Sequence, residues 1–301
     1  MHVYWLEQTE ADVPTGNDWL SASEVERLNG MRFAKRRTDW RLGRWTAKCA
    51  LAACLNGSTP VERPRAVKDP RCGDLKVCEA GSDRIQRTLP DCVGTGSSVR
   101  QPGYAGLFHS SLASIEIRPA PSGAPEVFFV NDKAIRPKDQ GQILAPPVPV
   151  AGLGPTSVTI SLSHRGAMAV CAVTMSGGVL GCDLETVEPR SDAFVADYFT
   201  TEEQTLIAQA SKAERSQLAT LLWSAKESAL KALRAGLRLD TRCVSVEGFG
   251  IRNLESETGE WQPLRVRYTD GGIFHGWWRN ADNLLRTLVA FPPPFLPIVL
   301  R

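Results

Sequence analysis

The run from Leu218 to Ala235 limits more than any other segment how this chain can be assembled. At about 100° per residue, Leu218, Leu221, Leu222, Ala225, Ala229, Ala232 and Leu233 fall on one stripe of a helix that Gly236 would stop. Glu227 and Lys231 fall on the opposite face, four residues apart, the spacing of an ordinary helical ion pair. Trp223 and Leu230 flank that polar face. A large aromatic beside charges implies a cover on this side too, from a second domain or a ligand. The helix is expected to be enclosed from two directions.

The segments around it read as strands and helices in alternation. Residues 158–161 and 167–175 are apolar runs with β-branched residues, hence buried strands, and Ser176-Gly177-Gly178 turns the chain into a third at 179–184. Thr200 and Glu203 form a capping-box pattern at the head of a helix over 198–210. Further strands are expected near 243–246, 264–268, 273–278 and 285–291. At the start, a strand over 2–6 precedes one helix over 23–55, capped by Ser21 or Ser23 and stopped at Asn56-Gly57. Strands at 112–117 and 125–130 flank a Ser-Gly turn. Residues 58–111 and 131–156, rich in Pro and Gly and without a sustained period, read as insertions or loops. This is an α+β pattern that one unit used twice could produce, although no repeat is visible by sequence identity.

Composition narrows the classes of function. The formal net charge of +2 and pI near 8.1 are too mild to argue for nucleic acid. Basic residues do gather at Arg32, Lys35, Arg36, Arg37, Arg41, Arg44 and Lys48, but with few Tyr or Phe to stack on bases. Such a patch suits a small anionic ligand. The first residues lack the features of a signal peptide, and no stretch reaches the apolar length of a membrane span. The expectation is a cytoplasmic protein whose eight cysteines stay reduced. Cys49, Cys54, Cys72, Cys78 and Cys92 form no Cys-x-x-Cys pair of the kind that marks structural zinc.

Three short segments carry chemistry. In the first, an apolar strand ends in Ser163-His164, where an imidazole can face a cleft. In Gly181-Cys182-Asp183-Leu184-Glu185, residues two apart share a strand face, so Asp183 and Glu185 set two carboxylates side by side. Like charges that close are unfavourable unless a cation lies between them or one is protonated. One or two carboxylates with substrate phosphates are the usual way of holding Mg²⁺. The third segment is Trp223-Ser224-Ala225-Lys226-Glu227-Ser228-Ala229-Leu230-Lys231. Each alone has a bland reading: a structural histidine, a solvated strand end, a solvated helix face.

Together, and in this order, the three resemble the Sfp-type 4′-phosphopantetheinyl transferases, over residues 160–237. Tyr198-Phe199-Thr200-Thr201-Glu202-Glu203-Gln204 is similar to the family's Phe-Phe-Ser-x-x-Glu helix start. The helix over 36–48 resembles its basic N-terminal helix, and Ser122-Gly123-Ala124-Pro125 its Gly-Lys-Pro turn. The resemblance implies two similar α/β halves packed as a pseudo-dimer, 1–176 and 177–301, with coenzyme A in the cleft between them and both insertions in the first half. It implies transfer of the phosphopantetheine arm of coenzyme A to a serine of an apo acyl or peptidyl carrier protein, with Mg²⁺ and release of 3′,5′-ADP. Asp183, Glu185 and Glu227 match the metal ligands. Glu227 also matches the general base, with Lys231 stabilising phosphate charge and Lys226 in support. Ser163 and His164 match coenzyme A contacts, as do Arg44 and Lys48 through the looser upstream alignment. The length is similar to the monomeric type that serves synthases of secondary metabolites, such as polyketide and nonribosomal peptide synthetases.

One position departs from the pattern: the lysine of Gly-Lys-Pro is Ala124 here, with Lys133, Arg118 and Arg165 as replacements within reach. A non-catalytic coenzyme A or carrier-binding module and a Mg²⁺-dependent phosphohydrolase are the competing readings. The intact trio of acids argues against the first, and release of 3′,5′-ADP from coenzyme A without an acceptor would favour the second.

Overall fold

The computed structural model describes residues 1–56, 112–130, 158–250 and 259–301. The expected insertions over 58–111 and 131–156 lie outside the described residues, as do Lys133, Cys72, Cys78 and Cys92. The architecture is mixed α+β, with five α-helices and three sheets among the described residues. None of these helices is long and apolar enough to cross a membrane.

The first sheet has the order β11-β1-β5-β4, built from β1 (Tyr4–Thr9), β4 (Thr159–Arg165), β5 (Met168–Thr174) and β11 (Ile298–Val299). Its strand β11 pairs parallel to β1, so residues from both ends of the sequence share this sheet. The second sheet has the order β6-β10-β9-β8-β7, from β6 (Val179–Thr186), β7 (Val244–Gly248), β8 (Gln262–Tyr268), β9 (Ile273–Ala281) and β10 (Leu284–Phe291). A two-stranded hairpin, β2 (Ile115–Pro119) and β3 (Pro125–Phe129), forms a third sheet, with β3 against β4. Gly123 supplies the positive φ (86°) its turn requires.

The helix expected over 23–55 is two helices, α1 (Ala22–Asn29) and α2 (Ala34–Leu55). Gly30 caps α1, and the chain stays out of helix until Phe33. Ser21 caps α1 as expected, its hydroxyl accepting from the Glu24 amide while the Glu24 side chain accepts from the Ser21 amide. A short helix not anticipated from the sequence, α3 (Asp192–Tyr198), precedes α4 (Thr201–Gln209), which opens on the expected Thr200–Glu203 capping box. The long helix α5 (Glu214–Ala232) starts one turn earlier than its apolar stripe suggested.

Enclosure of α5 from two directions is borne out. Leu218 through Ala232 are buried except for the partly exposed Glu227 and Lys231. One side packs in the core formed with α4 and the second sheet, through Leu222, Ala229, Val246 and Leu285. Strand β6 is buried on both faces as well. Leu180, Cys182 and Leu184 meet Trp5, Val170 and Ala172 of the first sheet, while the alternate residues face α5. Gly181 permits that approach, because a Cβ there would collide with the Ser228 carbonyl.

A repeat that identity along the sequence did not suggest becomes plain in three dimensions. Helix α2 carries Trp45-Thr46-Ala47-Lys48, and α5 carries Trp223-Ser224-Ala225-Lys226. Each lysine is wholly buried, and each pairs with the glutamate of a capping box: Lys48 with Glu24, and Lys226 with Glu203 at 2.8 Å. Each glutamate also accepts from a strand amide, Ile117 on β2 and Val246 on β7. Each lysine donates to two backbone carbonyls, those of Trp19 and Leu112 in one case and Thr241 and Val244 in the other.

Candidate active site

The site forms where β4, β6 and α5 converge. Strand β4 does not end before Ser163 but runs on to Arg165, which carries Ser161 and Ser163 alongside β6. The Cys182 amide donates to Ser161 Oγ at 2.9 Å, locking the two strands together. Two residues along, Ser163 Oγ donates to Asp183 Oδ1 at 2.8 Å.

Asp183 is the hub. Only 4% exposed, it accepts at Oδ1 from Ser163 and from Lys231 Nζ (2.8 Å), and at Oδ2 from Ser224 Oγ (2.9 Å). Lys231 also donates to the Cys182 carbonyl at 3.0 Å. Burial opposes charge on Lys231, but Asp183 and Glu227 outweigh it and hold the ammonium above its ordinary value.

Glu185 sits two residues along the same face. Its Oε1 accepts from Trp223 Nε1 at 3.2 Å, and its Oε2 lies 3.3 Å from Arg190 and 3.6 Å from Arg165. Burial, and then the Asp183 carboxylate, push its carboxyl up despite both arginines. Glu227 reaches toward the same region from α5. Burial and then Asp183 raise its carboxyl too, and its Oε1 is buried with no hydrogen-bond partner. An unpartnered buried carboxylate oxygen is costly, and it marks where a ligand would relieve the protein.

Residues 179–281, which hold these acids and Lys231, match the profile of the 4′-phosphopantetheinyl transferase superfamily. This segment is a 4′-phosphopantetheinyl transferase superfamily domain. No curated protein matches the chain.

The superfamily domain contains Asp183, Glu185, Lys226, Glu227 and Lys231, but Lys226 does not join the others. Its ammonium is spent on Glu203 and two carbonyls, and burial lowers its affinity for the proton. Lys48 is in the same position on α2, enclosed by Glu24 and two carbonyls, and burial likewise lowers its proton affinity. Arg44 lies over the Trp40 ring at 4.8 Å and 3.7 Å from Glu24, and burial pulls it down to about 10. His164 is half exposed, 4.0 Å from Asp39 Oδ2 on α2. Periodicity places a lysine on a face; it does not show that a glutamate from another helix already occupies it. The Trp-x-Ala-Lys repeat was the signal that could have revealed this.

Ala124 lines a cleft of about 270 Å³ together with Ile160, Leu162, Lys231 and Arg234. Among its suggested replacements, Arg118 is bonded to Glu116 and Arg165 to Glu188, each at 2.7 Å. Arg234, which sequence reasoning did not single out, faces this cleft just past α5 and pairs with Glu126 of β3 at 3.1 Å.

The donor set suits a hard divalent cation. Among the described residues no three His, Cys, Asp or Glu side chains form a ready-made cage. Mg²⁺ asks for less, since substrate phosphates and water complete its shell. The free Glu227 oxygen, whose charge interacts with Asp183 and Glu185, fits such a cation completed by a phosphate-bearing substrate.

Proposed function

We propose that this protein transfers the 4′-phosphopantetheine arm of coenzyme A to a serine of an apo acyl or peptidyl carrier protein. The observation that carries this reading is the buried, unpartnered Oε1 of Glu227, in the electrostatic field of Asp183, Lys231 and Glu185 within a domain of this superfamily. Two halves, 1–176 and 177–301, related as a pseudo-dimer, accommodate coenzyme A along the seam. The repeated Glu–Lys lock supports that arrangement.

Asp183, Glu185 and Glu227 would hold Mg²⁺, which when bound compensates the charge of the pyrophosphate. Ser163 steadies Asp183, and Arg234, which lines the cleft, and the half-exposed His164 would meet phosphate oxygens. Glu227, with its raised proton affinity, accepts the proton of the carrier serine. The serine Oγ–phosphorus bond forms as the bond from that phosphorus to the departing 3′,5′-ADP breaks. Lys231 balances the charge that develops on the oxygens. The protein acts as a monomer in the cytoplasm, on carriers of the secondary-metabolite synthase kind.

The test is to incubate the protein with apo carrier, coenzyme A and Mg²⁺, and to weigh the carrier by intact mass spectrometry. A gain of one phosphopantetheinyl arm that EDTA abolishes is expected. Unmodified carriers across several unrelated types, with coenzyme A still bound, would replace this reading with a binding module.

A further inference from the structure

Behind Asp183 lies a row of hydroxyls that the proposed chemistry does not use directly. Ser224 and Ser228 on α5 and Thr287 on β10 are each 0% exposed, in a region otherwise walled by apolar side chains. Ser224 Oγ and Thr287 Oγ1 are 2.8 Å apart, and Thr287 Oγ1 and Ser228 Oγ 2.7 Å. In the sheet register Thr287 lies directly opposite Asp183.

The direction of these bonds follows from counting protons. A hydroxyl has one to give. Ser224 gives its proton to Asp183 Oδ2, an oxygen of a carboxylate that is paired with Lys231 through Oδ1 and so can only accept. The Ser224–Thr287 contact is then donated by Thr287, which shares its proton between Ser224 Oγ and the Ser224 carbonyl at 2.9 Å. Thr287 is thereby committed, so Ser228 donates to Thr287, sharing its proton between Oγ1 at 2.7 Å and the Thr287 carbonyl at 3.3 Å. The chain runs one way, Ser228 to Thr287 to Ser224 to Asp183, each bond polarising the next.

The first half of the molecule provides an internal control. In the repeat, Ser224 corresponds to Thr46 and Ser228 to Ala50. Thr46 turns its hydroxyl back onto the Leu42 carbonyl of its own helix at 2.9 Å, and Ala50 has none to offer. Helix α2 nevertheless packs on β1, β4 and β5. Seating such a helix on its sheet therefore does not require buried hydroxyls. They occur in the copy that carries the acids.

We infer that Ser224, Thr287 and Ser228 are positioning residues that fix the Asp183 carboxylate in the orientation a divalent cation needs. The inference rests on the reading of Asp183 as a cation ligand. It is tested by Mn²⁺ titration of the protein with coenzyme A, followed by electron paramagnetic resonance without any carrier, and by thermal melting. Ser224→Ala and the isosteric Thr287→Val are expected to weaken Mn²⁺ binding by about tenfold or more. Ser224→Thr and Thr287→Ser, which keep the hydroxyl, are expected to retain it. Ser228→Ala, at the far end, should give a smaller loss in the same direction. In transfer assays the weakened variants should need more Mg²⁺ for half-maximal rate, with KM for the carrier unchanged. Wild-type Mn²⁺ affinity in folded Ser224→Ala and Thr287→Val would overturn the inference alone. So would a loss that Thr287→Ser fails to restore, since that loss would come from packing. Absence of Mn²⁺ binding by the wild-type protein would overturn it together with the cation site.

Discussion

Glu227 is held where a carboxylate is poorly solvated and one of its oxygens has no donor. The sign of the effect on stability is fixed by its raised proton affinity. The fold prefers the neutral acid, so stability falls as pH rises from the ordinary carboxylate value of 4.5 through the raised one. Glu227→Gln is expected to abolish transfer yet raise stability at neutral pH by about 1 kcal/mol, the scale of an unsatisfied buried group. Melting curves should show the gap closing as pH approaches 4.5. A variant no more stable than wild type at neutral pH would mean the free oxygen carries no strain. Lys226, the immediate neighbour, has the opposite character. Its Lys226→Ala change strands Glu203 in the core and should cost about 3–5 kcal/mol, read by urea unfolding. Full stability with lost transfer would instead return Lys226 to the chemistry.

Among the elements, β6 and α5 succeed or fail as a pair. Gly181 lets the strand lie close enough to the helix for Asp183 to reach both Ser224 and Lys231. Gly181→Ala must push the two apart against the Ser228 backbone. The expectation is a loss of about 1–3 kcal/mol, as for overpacking elsewhere, with transfer falling further than stability alone accounts for. Equal activity at a temperature where the variant is folded would count against this coupling. The strand pattern itself was legible. Apolar residues at Leu180, Cys182 and Leu184 and acids at Asp183 and Glu185 alternate as period two demands. The break between α1 and α2 was not, because Gly30-Met31-Arg32-Phe33 contains no proline and its one charge, Arg32, fits a helix face.

Across the whole molecule, the first and second sheets are joined by an ion cluster as well as by their apolar faces. Glu7 of β1 receives Arg286 of β10 through two bonds, at 2.7 and 2.8 Å, and Arg279 of β9 as well. Burial works against the Glu7 charge, yet the two arginines more than offset it and hold the carboxyl below its usual value. A depressed carboxyl stabilises the fold above the unfolded value of 4.5, and that contribution is lost as pH falls through the folded one. Glu7→Gln should therefore cost about 1.5–3 kcal/mol at neutral pH, with the difference from wild type vanishing in acid. A pH-independent difference would show that the loss is one of shape and not of charge.

Local order and the superfamily of one segment were legible along the chain: the period-two acids of β6, the capping boxes at Ser21 and Thr200, the two-sided burial of α5 and the superfamily of residues 179–281. These are consequences of neighbours in sequence, and backbone geometry converts spacing into faces without further information. Which lysine joins the acids of the site and which is consumed away from it was settled elsewhere. Lys226 and Lys231 are five residues apart on one helix, yet one is closed off by Glu203 of α4 and the other faces Asp183 of β6. The same holds for the hydroxyl row, since Thr287 lies 63 residues from Ser224. A side chain's partners come from whichever elements the fold brings against it, and only the tertiary packing makes that selection.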